Sequence, residues 1–313
     1  MSTPMSTRVS TPVSTPVSRS KVAQNATVAA AGTGLALDLT VLDTPAALAA
    51  HLAGATGTVV VRPEFSAEIG SALFHRPGAP LTESARAHLW QRSGDRVVVH
   101  ALVPGTPYFA NGVVHEGRLV LTDCWRCFTL DEGPRTLLTS VMNPSPDDPL
   151  LSRLTDGLAP VVKAAGITDG PVHFELVVGE DTLKVIKWAA RPAGSPLPEL
   201  CALLGVPGQA GALATGRPVA LADAGDIGCV ADYSFIARAH GTLAEVTGLD
   251  ELLGRPSYAG PERIPEPGAP VTPSVNENPV LTLWLRHHDR ATLLADIDHY
   301  QSRNREGVFV LTR

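Results

Sequence analysis

The residues with chemistry to offer gather in one stretch. Glu175 and Lys187 flank Gly179-Glu180-Asp181, a turn-forming segment between two runs rich in β-branched residues. With a turn that sets Val178 opposite Thr182, Glu175 faces Val185 and Lys187 lies diagonally across on the same side. Diagonal partners stand about 7–8 Å apart, within reach of long side chains. The spacing therefore predicts a Glu175–Lys187 ion pair, read either as a structural salt bridge or as charges held at a reactive site. Arg191 follows before Pro192, and Arg62 closes the run Val59-Val60-Val61 before Pro63. Of the 25 basic residues only Lys21, Lys163, Lys184 and Lys187 are lysine, which singles each of them out. His173 sits two positions before Glu175 on the same strand face and is a candidate general base.

Other motifs carry less. Cys124-Trp125-Arg126-Cys127 is a CxxC, but a zinc site needs a second pair or histidines at suitable spacing. Cys201 and Cys229 are isolated, and on a strand Cys124 and Cys127 point to opposite faces. His287-His288-Asp289 precedes a helical pattern, so Asp289 reads as an N-cap and the histidines as surface groups. Gly32-Thr33-Gly34 lacks the strand-helix context of a dinucleotide fingerprint. No Ser-His-Asp order stands out.

The elements that must position these groups follow from pattern. Thr44-Pro45 opens a capped helix that ends near Gly54. Residues 58–61 read as a buried strand, 82–91 as a short helix and 97–103 as a strand. Residues 108–115 and 118–123 read as two strands around Glu116-Gly117. Residues 149–165 form an amphipathic helix with Leu150, Leu151, Leu154, Leu158 and Val161 on one side. The strands 172–178 and 182–189 carry Glu175 and Lys187. A helix near 198–204 follows, then a strand at 280–286, a helix at 290–300 and a strand at 308–311. The Pro/Gly-rich stretch 255–273 reads as a loop or linker. Strands with helices beside them define an α+β chain.

The first twenty residues, MSTPMSTRVSTPVSTPVSRS, cannot pack a core and are expected to be disordered. They have no apolar stretch of the kind a secretory signal needs. The 313 residues carry a net charge of -6, with 44% hydrophobic and 18% charged residues. That composition is globular and argues against a nucleic-acid or anionic-membrane binder. No apolar run approaches the length of a membrane span. Four cysteines in a chain this long point to a reduced, cytoplasmic protein without a disulfide framework.

The order helix, VVVRP, loop, strand ending in PGT, NGVVHEGRLVLTDCW, helix, GPVHFELVV, hairpin and VIKWAARPAG resembles the ATP-grasp ligase superfamily, closest to its amino-acid and dipeptide ligase branch. The resemblance covers roughly residues 40–313. It implies ATP-grasp-like lobes of antiparallel sheet with packed helices and no full N-terminal α/β domain. It divides the chain into a disordered tail over 1–22, a nucleotide-binding lobe over 23–107, and a catalytic lobe with a C-terminal subdomain over 108–313. It also implies an enzyme that activates a carboxylate with ATP and joins it to an amine, with amino acids or other small carboxylates and amines as substrates.

Residue by residue, the resemblance implies that Arg62 holds phosphate in place of the usual lysine. Ser66, Gly70 and Ser71 form a phosphate loop, and His100, Ala101 and Val103 belong to the segment contacting adenine. Ala101, Pro107 and Asn111 stand where the family carries or allows acids. Glu175 matches a Mg²⁺ ligand, and Arg191 matches the arginine that steadies the acyl phosphate and tetrahedral intermediate. The family's Glu-x-Asn on the next strand is here Lys187 and Ala189, so two of three expected metal ligands are absent and Lys187 becomes a candidate replacement cation. Trp125, Arg126 and His173 fall where substrate-pocket residues are expected. The absent N-terminal domain leads to the expectation of a homodimer or second subunit that completes the pocket. The competing reading is a non-catalytic ATP-grasp binding or regulatory subunit.

Overall fold

The computed structural model describes residues 19–65, 72–93, 96–274 and 279–312. Helix α1 (Lys21–Ala30) opens the described chain. Ser20 caps it by accepting the Ala23 amide, and the same hydroxyl donates to buried Glu64 Oε1 at 2.6 Å. The tail expected over 1–22 therefore overlaps an ordered helix. A cap and a docking contact to Glu64, 44 positions along the chain, outweigh the low-complexity composition just before it.

The N-terminal lobe holds β1 (Thr40–Leu42), α2 (Pro45–Ala53), β2 (Val59–Pro63), β3 (Leu73–His75), α3 (Glu83–Ser93) and β4 (Val97–Ala101). Its four strands run antiparallel in the order β1-β4-β2-β3. Thr44 caps α2 and Gly54 ends it. Leu48, Leu52 and Leu89 pack on Val61, Val97 and Val99, and each buried side chain of this size contributes about 1.5–3 kcal/mol.

The larger body begins at β5 (Thr106–His115), so the lobe boundary at 107 falls just inside a strand. Then come β6 (Arg118–Glu132), β7 (Arg135–Met142), α4 (Pro149–Ala164), β8 (Gly170–Val178), β9 (Leu183–Ala189), α5 (Leu197–Leu204), α6 (Gly208–Thr215), β10 (Cys229–Phe235), β11 (Gly241–Val246), α7 (Leu249–Leu253), β12 (Tyr258–Arg263), β13 (Pro270–Val271), β14 (Leu281–His287), α8 (Arg290–Glu306) and β15 (Phe309–Thr312). An eight-stranded sheet runs β12-β14-β10-β7-β6-β5-β8-β9, and a three-stranded one β13-β11-β15. The α+β architecture of antiparallel sheets with packed helices is as the sequence implied.

Helix α4 buries Leu151, Leu154, Leu158, Val161 and Val162 against Val172, Phe174, Leu176 and Val185 of the sheet. Helix α5 covers Trp125, Cys127 and Val141. Cys124 lies in the α4 core and Cys127 under α5, as strand alternation requires. Tyr300 of α8 packs on Tyr233 and Phe235 of β10. The stretch 255–273, read as a linker, contains β12 and β13. Gly260 and Pro261 fit there because β12 is an edge strand whose ladder to β14 slips at both places.

The lobes are joined through Gly105, whose φ is +141° and whose Cβ would stand 2.6 Å from the Val178 carbonyl oxygen. Only glycine fits that approach. Among the described residues no helix is long and apolar enough to cross a membrane.

Candidate functional site

The hairpin of β8 and β9 builds the centre of the site. Its turn sets Val178 opposite Leu183, with the Gly179 amide donating to the Thr182 carbonyl at 2.7 Å. This is one residue away from the expected Val178–Thr182 pairing. A bulge then absorbs Ile186, so Lys187 stands directly opposite Glu175 and not diagonally. The ion pair itself forms, with Lys187 Nζ 2.8 Å from Glu175 Oε1 and side chains 11% and 20% exposed. Burial pushes the Glu175 carboxyl up, but the His173 and Lys187 contacts outweigh it and hold it well below the usual carboxylate range.

Three further side chains converge on this pair from the N-terminal side. Lys21 of α1 is buried and donates from Nζ to the Pro63 carbonyl at 2.8 Å. Burial and the neighbouring charges of Arg62 and Lys187 bring its ammonium down to about 7. Arg62 of β2 has a buried Nε with no hydrogen-bond partner, and it pairs with no carboxylate among the described residues. Burial lowers its pKa, while Glu175 acts in the opposite sense. His100 of β4 donates from Nδ1 to the Ala101 carbonyl at 2.8 Å. Burial and the Arg62 charge bring it down to about 4, so it is neutral at pH 7. Lys21, Arg62, His100 and Lys187 line one crevice of about 10 Å³, room for about one water.

A second cavity, of about 320 Å³, opens on the other side of Glu175 and takes His173, Arg191 and Asp232 into its lining. His173 Nδ1 lies 2.7 Å from Asn111 Oδ1. Asn111 spends its amide Nδ2 on Asp123, so its oxygen must accept from His173 Nδ1–H. His173 Nε2, the other ring nitrogen, lies 3.9 Å from Glu175 Oε1. Asp123 also accepts from Trp125 Nε1 at 2.7 Å and from the Thr122 hydroxyl at 3.0 Å. Burial raises the Asp123 pKa, and these donors limit the rise.

The structure thus brings together Arg62, His100, His173, Glu175, Lys187 and Arg191. Arg191 is exposed and donates from Nη1 to the Pro192 carbonyl at 2.7 Å. Ala101 ends β4 exposed, and Val103 lies in the link to β5; neither lines the crevice. Ser66, Gly70 and Ser71 lie outside the described residues. Two expected substrate residues are displaced. Trp125 is fully buried beneath α5. Arg126 pairs with Tyr108 one register position away from Phe109, so alternation sends it to the opposite sheet face from Glu175. There its guanidinium lies 4.9 Å from the Phe128 ring centre.

Sequence reasoning passed over Lys21, Asp123 and Asp232. Lys21 carried the signal of a rare lysine but was assigned to the tail. The two aspartates are lone acids inside apolar strands, LVLTDCW and CVADYSF, a pattern that calls for buried partners.

The Glu175 position does not fit Mg²⁺. Its Oε1 is taken by the Lys187 ammonium, Lys187 and Ala189 offer no anionic ligand, and among the described residues no three metal-ligating side chains cluster. The expectation of Glu175 as metal ligand gives way to Glu175 as counter-ion, because a fixed ammonium fills the position where a cation would act.

No known family profile and no curated protein matches the chain by sequence. Solved structures do match. The L-amino acid ligase from Bacillus licheniformis is 16% identical with a TM-score of 0.70, over 95% of this chain and 73% of that one. Carboxyaminoimidazole ribonucleotide synthase from Aspergillus clavatus, complexed with ATP, is 13% identical with a TM-score of 0.61, over 93% of this chain and 74% of that one. Biotin carboxylase from Campylobacter jejuni is 14% identical with a TM-score of 0.57, over 95% and 67%. These neighbours are ATP-grasp ligases, and the chain has the ATP-grasp fold.

Proposed function

We propose that the chain is an ATP-dependent carboxylate–amine ligase that joins two amino acids, or an amino acid and an amine, in small-molecule biosynthesis. The observation that carries this reading is Arg62 at the lobe junction, whose buried Nε has no hydrogen-bond partner and whose guanidinium pairs with no carboxylate among the described residues. Lys21 and Lys187 stand beside it, and the carboxylates that act on Lys21 are Glu175 and Glu64. A buried guanidinium without a matching anion is costly, and phosphate oxygens are its natural partners. ATP would supply phosphoryl activation of the carboxylate as an acyl phosphate.

Each side chain then has a task. Arg62 and Lys21 neutralise phosphate charge between the lobes. Lys187, pinned by Glu175, places a fixed positive charge where the metal ligands are replaced. Arg191, on the cavity lining, stabilises the oxygen charge that builds as the amine attacks. His173 Nε2, its tautomer set by Asn111, accepts the proton that the attacking amine loses. The crevice must widen for a nucleotide to enter.

A second reading has an observation of its own. The Glu175–Lys187 pair closes the metal position, which suits a non-catalytic ATP-grasp binding or regulatory subunit. The test is ATP consumption with pooled amino acids, followed by mass spectrometry. ADP together with a new amide supports the ligase; ATP bound but unconsumed supports the second reading.

A further inference from the structure

The 320 Å³ cavity is bipolar. Phe109, Leu138, Val141 and Leu197 supply apolar lining, and Arg191 lies at its exposed side. Asp232 of β10 lines it as well and is 8% exposed. One Asp232 oxygen accepts the Val141 amide at 2.7 Å. The other has no partner, and no cation pairs with Asp232, among the described residues. The charge that does act on it is Glu262, of the same sign and lining the same cavity.

A structural role explains only part of this. Strands β7 and β10 share a single register pair, Ala231 with Met142, and the Asp232 side chain mends the ladder beside it. An asparagine oxygen would accept the Val141 amide equally well. The negative charge itself is unexplained by the fold, and a buried carboxylate without a counter-ion is costly. The cavity lies at the small end of the range for small-molecule sites, about 300–1,000 Å³, a size that suits an amino acid.

We propose that Asp232 is the counter-ion for the ammonium group of an amino-acid substrate seated in this cavity, with Arg191 at its carboxylate end. The substrate class rests on the ligase reading above; the charge complementarity does not. Glu262 adds to the negative potential at the mouth. Substrates lacking the ammonium leave Asp232 buried and unpaired, so the site rejects them.

The experiment is equilibrium dialysis of the full chain against an equimolar mixture of the common L-amino acids, and separately against the same mixture N-acetylated, read by mass spectrometry. Asp232→Asn, which keeps an acceptor for the Val141 amide, is run alongside. Retention of at least one free amino acid is expected, with N-acetylation and Asp232→Asn each weakening it about tenfold or more. No retention by the wild type, equal retention of free and acetylated forms, or unchanged retention by a folded variant would overturn the proposal. Should the variant not fold, the comparison of free with acetylated amino acids on the wild type still decides. ADP release, followed in parallel samples to which ATP and Mg²⁺ are added, reports on the ligase reading separately. Amino acid retained without ADP ends that reading and leaves the ammonium site. ADP formed by Asp232→Asn with unchanged KM for the amino acid ends the site and leaves the ligase.

Discussion

Lys21, Arg62 and Lys187 share a buried environment with Glu175, and Glu64 also acts on Lys21, so their protonation is where function and stability meet. The Lys21 ammonium is brought down to about 7 in the folded chain, below its ordinary value of about 10.4. Its protonation therefore opposes folding. That opposition is complete below pH 7 and fades as pH rises toward the unfolded value. A bound phosphate favours the ammonium again. Nucleotide binding near pH 7–8 is thus expected to take up a fraction of a proton, seen by calorimetry in buffers of different ionisation enthalpy. Lys21→Met is expected to abolish the uptake; uptake that persists in that variant would contradict a phosphate role for Lys21.

Asp232 shows the opposite sign. Its folded carboxyl is pushed up to about 7 from 3.8, so a stability cost grows as pH rises between those values and is complete above them. Asp232→Asn is expected to stabilise the free protein by about 1–3 kcal/mol at pH 8, with the gain vanishing near pH 4. Urea denaturation at the two pH values measures it, and a variant destabilised at both would mean the residue is structural. Arg191 touches neither the crevice nor its cations. Arg191→Ala is therefore expected to lower turnover about tenfold or more while leaving ATP affinity nearly unchanged. Equal losses in both would contradict its assigned role.

At the scale of elements, the hairpin and the linker decide whether these residues meet. Glu175 and Lys187 share a face through a bulge at Ile186. The sequence pattern named the pair because alternation alone puts them on one side. It missed the direct opposition, since bulges leave little trace in a seven-residue strand. The helices at 45–53, 149–164 and 197–204 were legible from caps and apolar spacing. Strands β7 and β10 were not, because Thr, Ser and Asp interrupt their apolar alternation and only long-range pairing makes them strands. Helix α1 was lost because its cap, Ser20, ends a low-complexity tract. Gly105 is the joint between lobes, with no room for a side chain against Val178. Gly105→Ala is expected to destabilise the protein by about 1–3 kcal/mol; a neutral result in urea denaturation would show that the joint tolerates a different path.

For the molecule as a whole, the ATP-grasp lobes meet over a crevice too small for a nucleotide as it stands, about 10 Å³, beside a cavity of about 320 Å³. On the ligase reading the larger space takes the small substrate and the smaller one must open. Of the residues gathered at the two cavities, Arg62, His100, His173, Glu175, Lys187 and Arg191 were marked by motif order, and the structure shows their proximity. Asn111 was marked only as a position where an acid is allowed, and Asp123 and Asp232 were not marked, because their roles depend on which neighbours burial brings to them. The expected second subunit is tested by gel filtration with an activity assay on the fractions; full activity in a monomer peak would remove that requirement.

The central claim is that a fixed ammonium, Lys187, works where metal ligands are replaced, in a chain that still makes amide bonds. The most direct measurement is product analysis after incubating the full-length protein with ATP and pooled amino acids, alongside Lys187→Ala. The account expects ADP and a new amide in equal amounts from the wild type and a loss of about a hundredfold in the variant, the size of effect of removing one preorganised charge. Neither product from the wild type, or equal yields from both proteins, would contradict it.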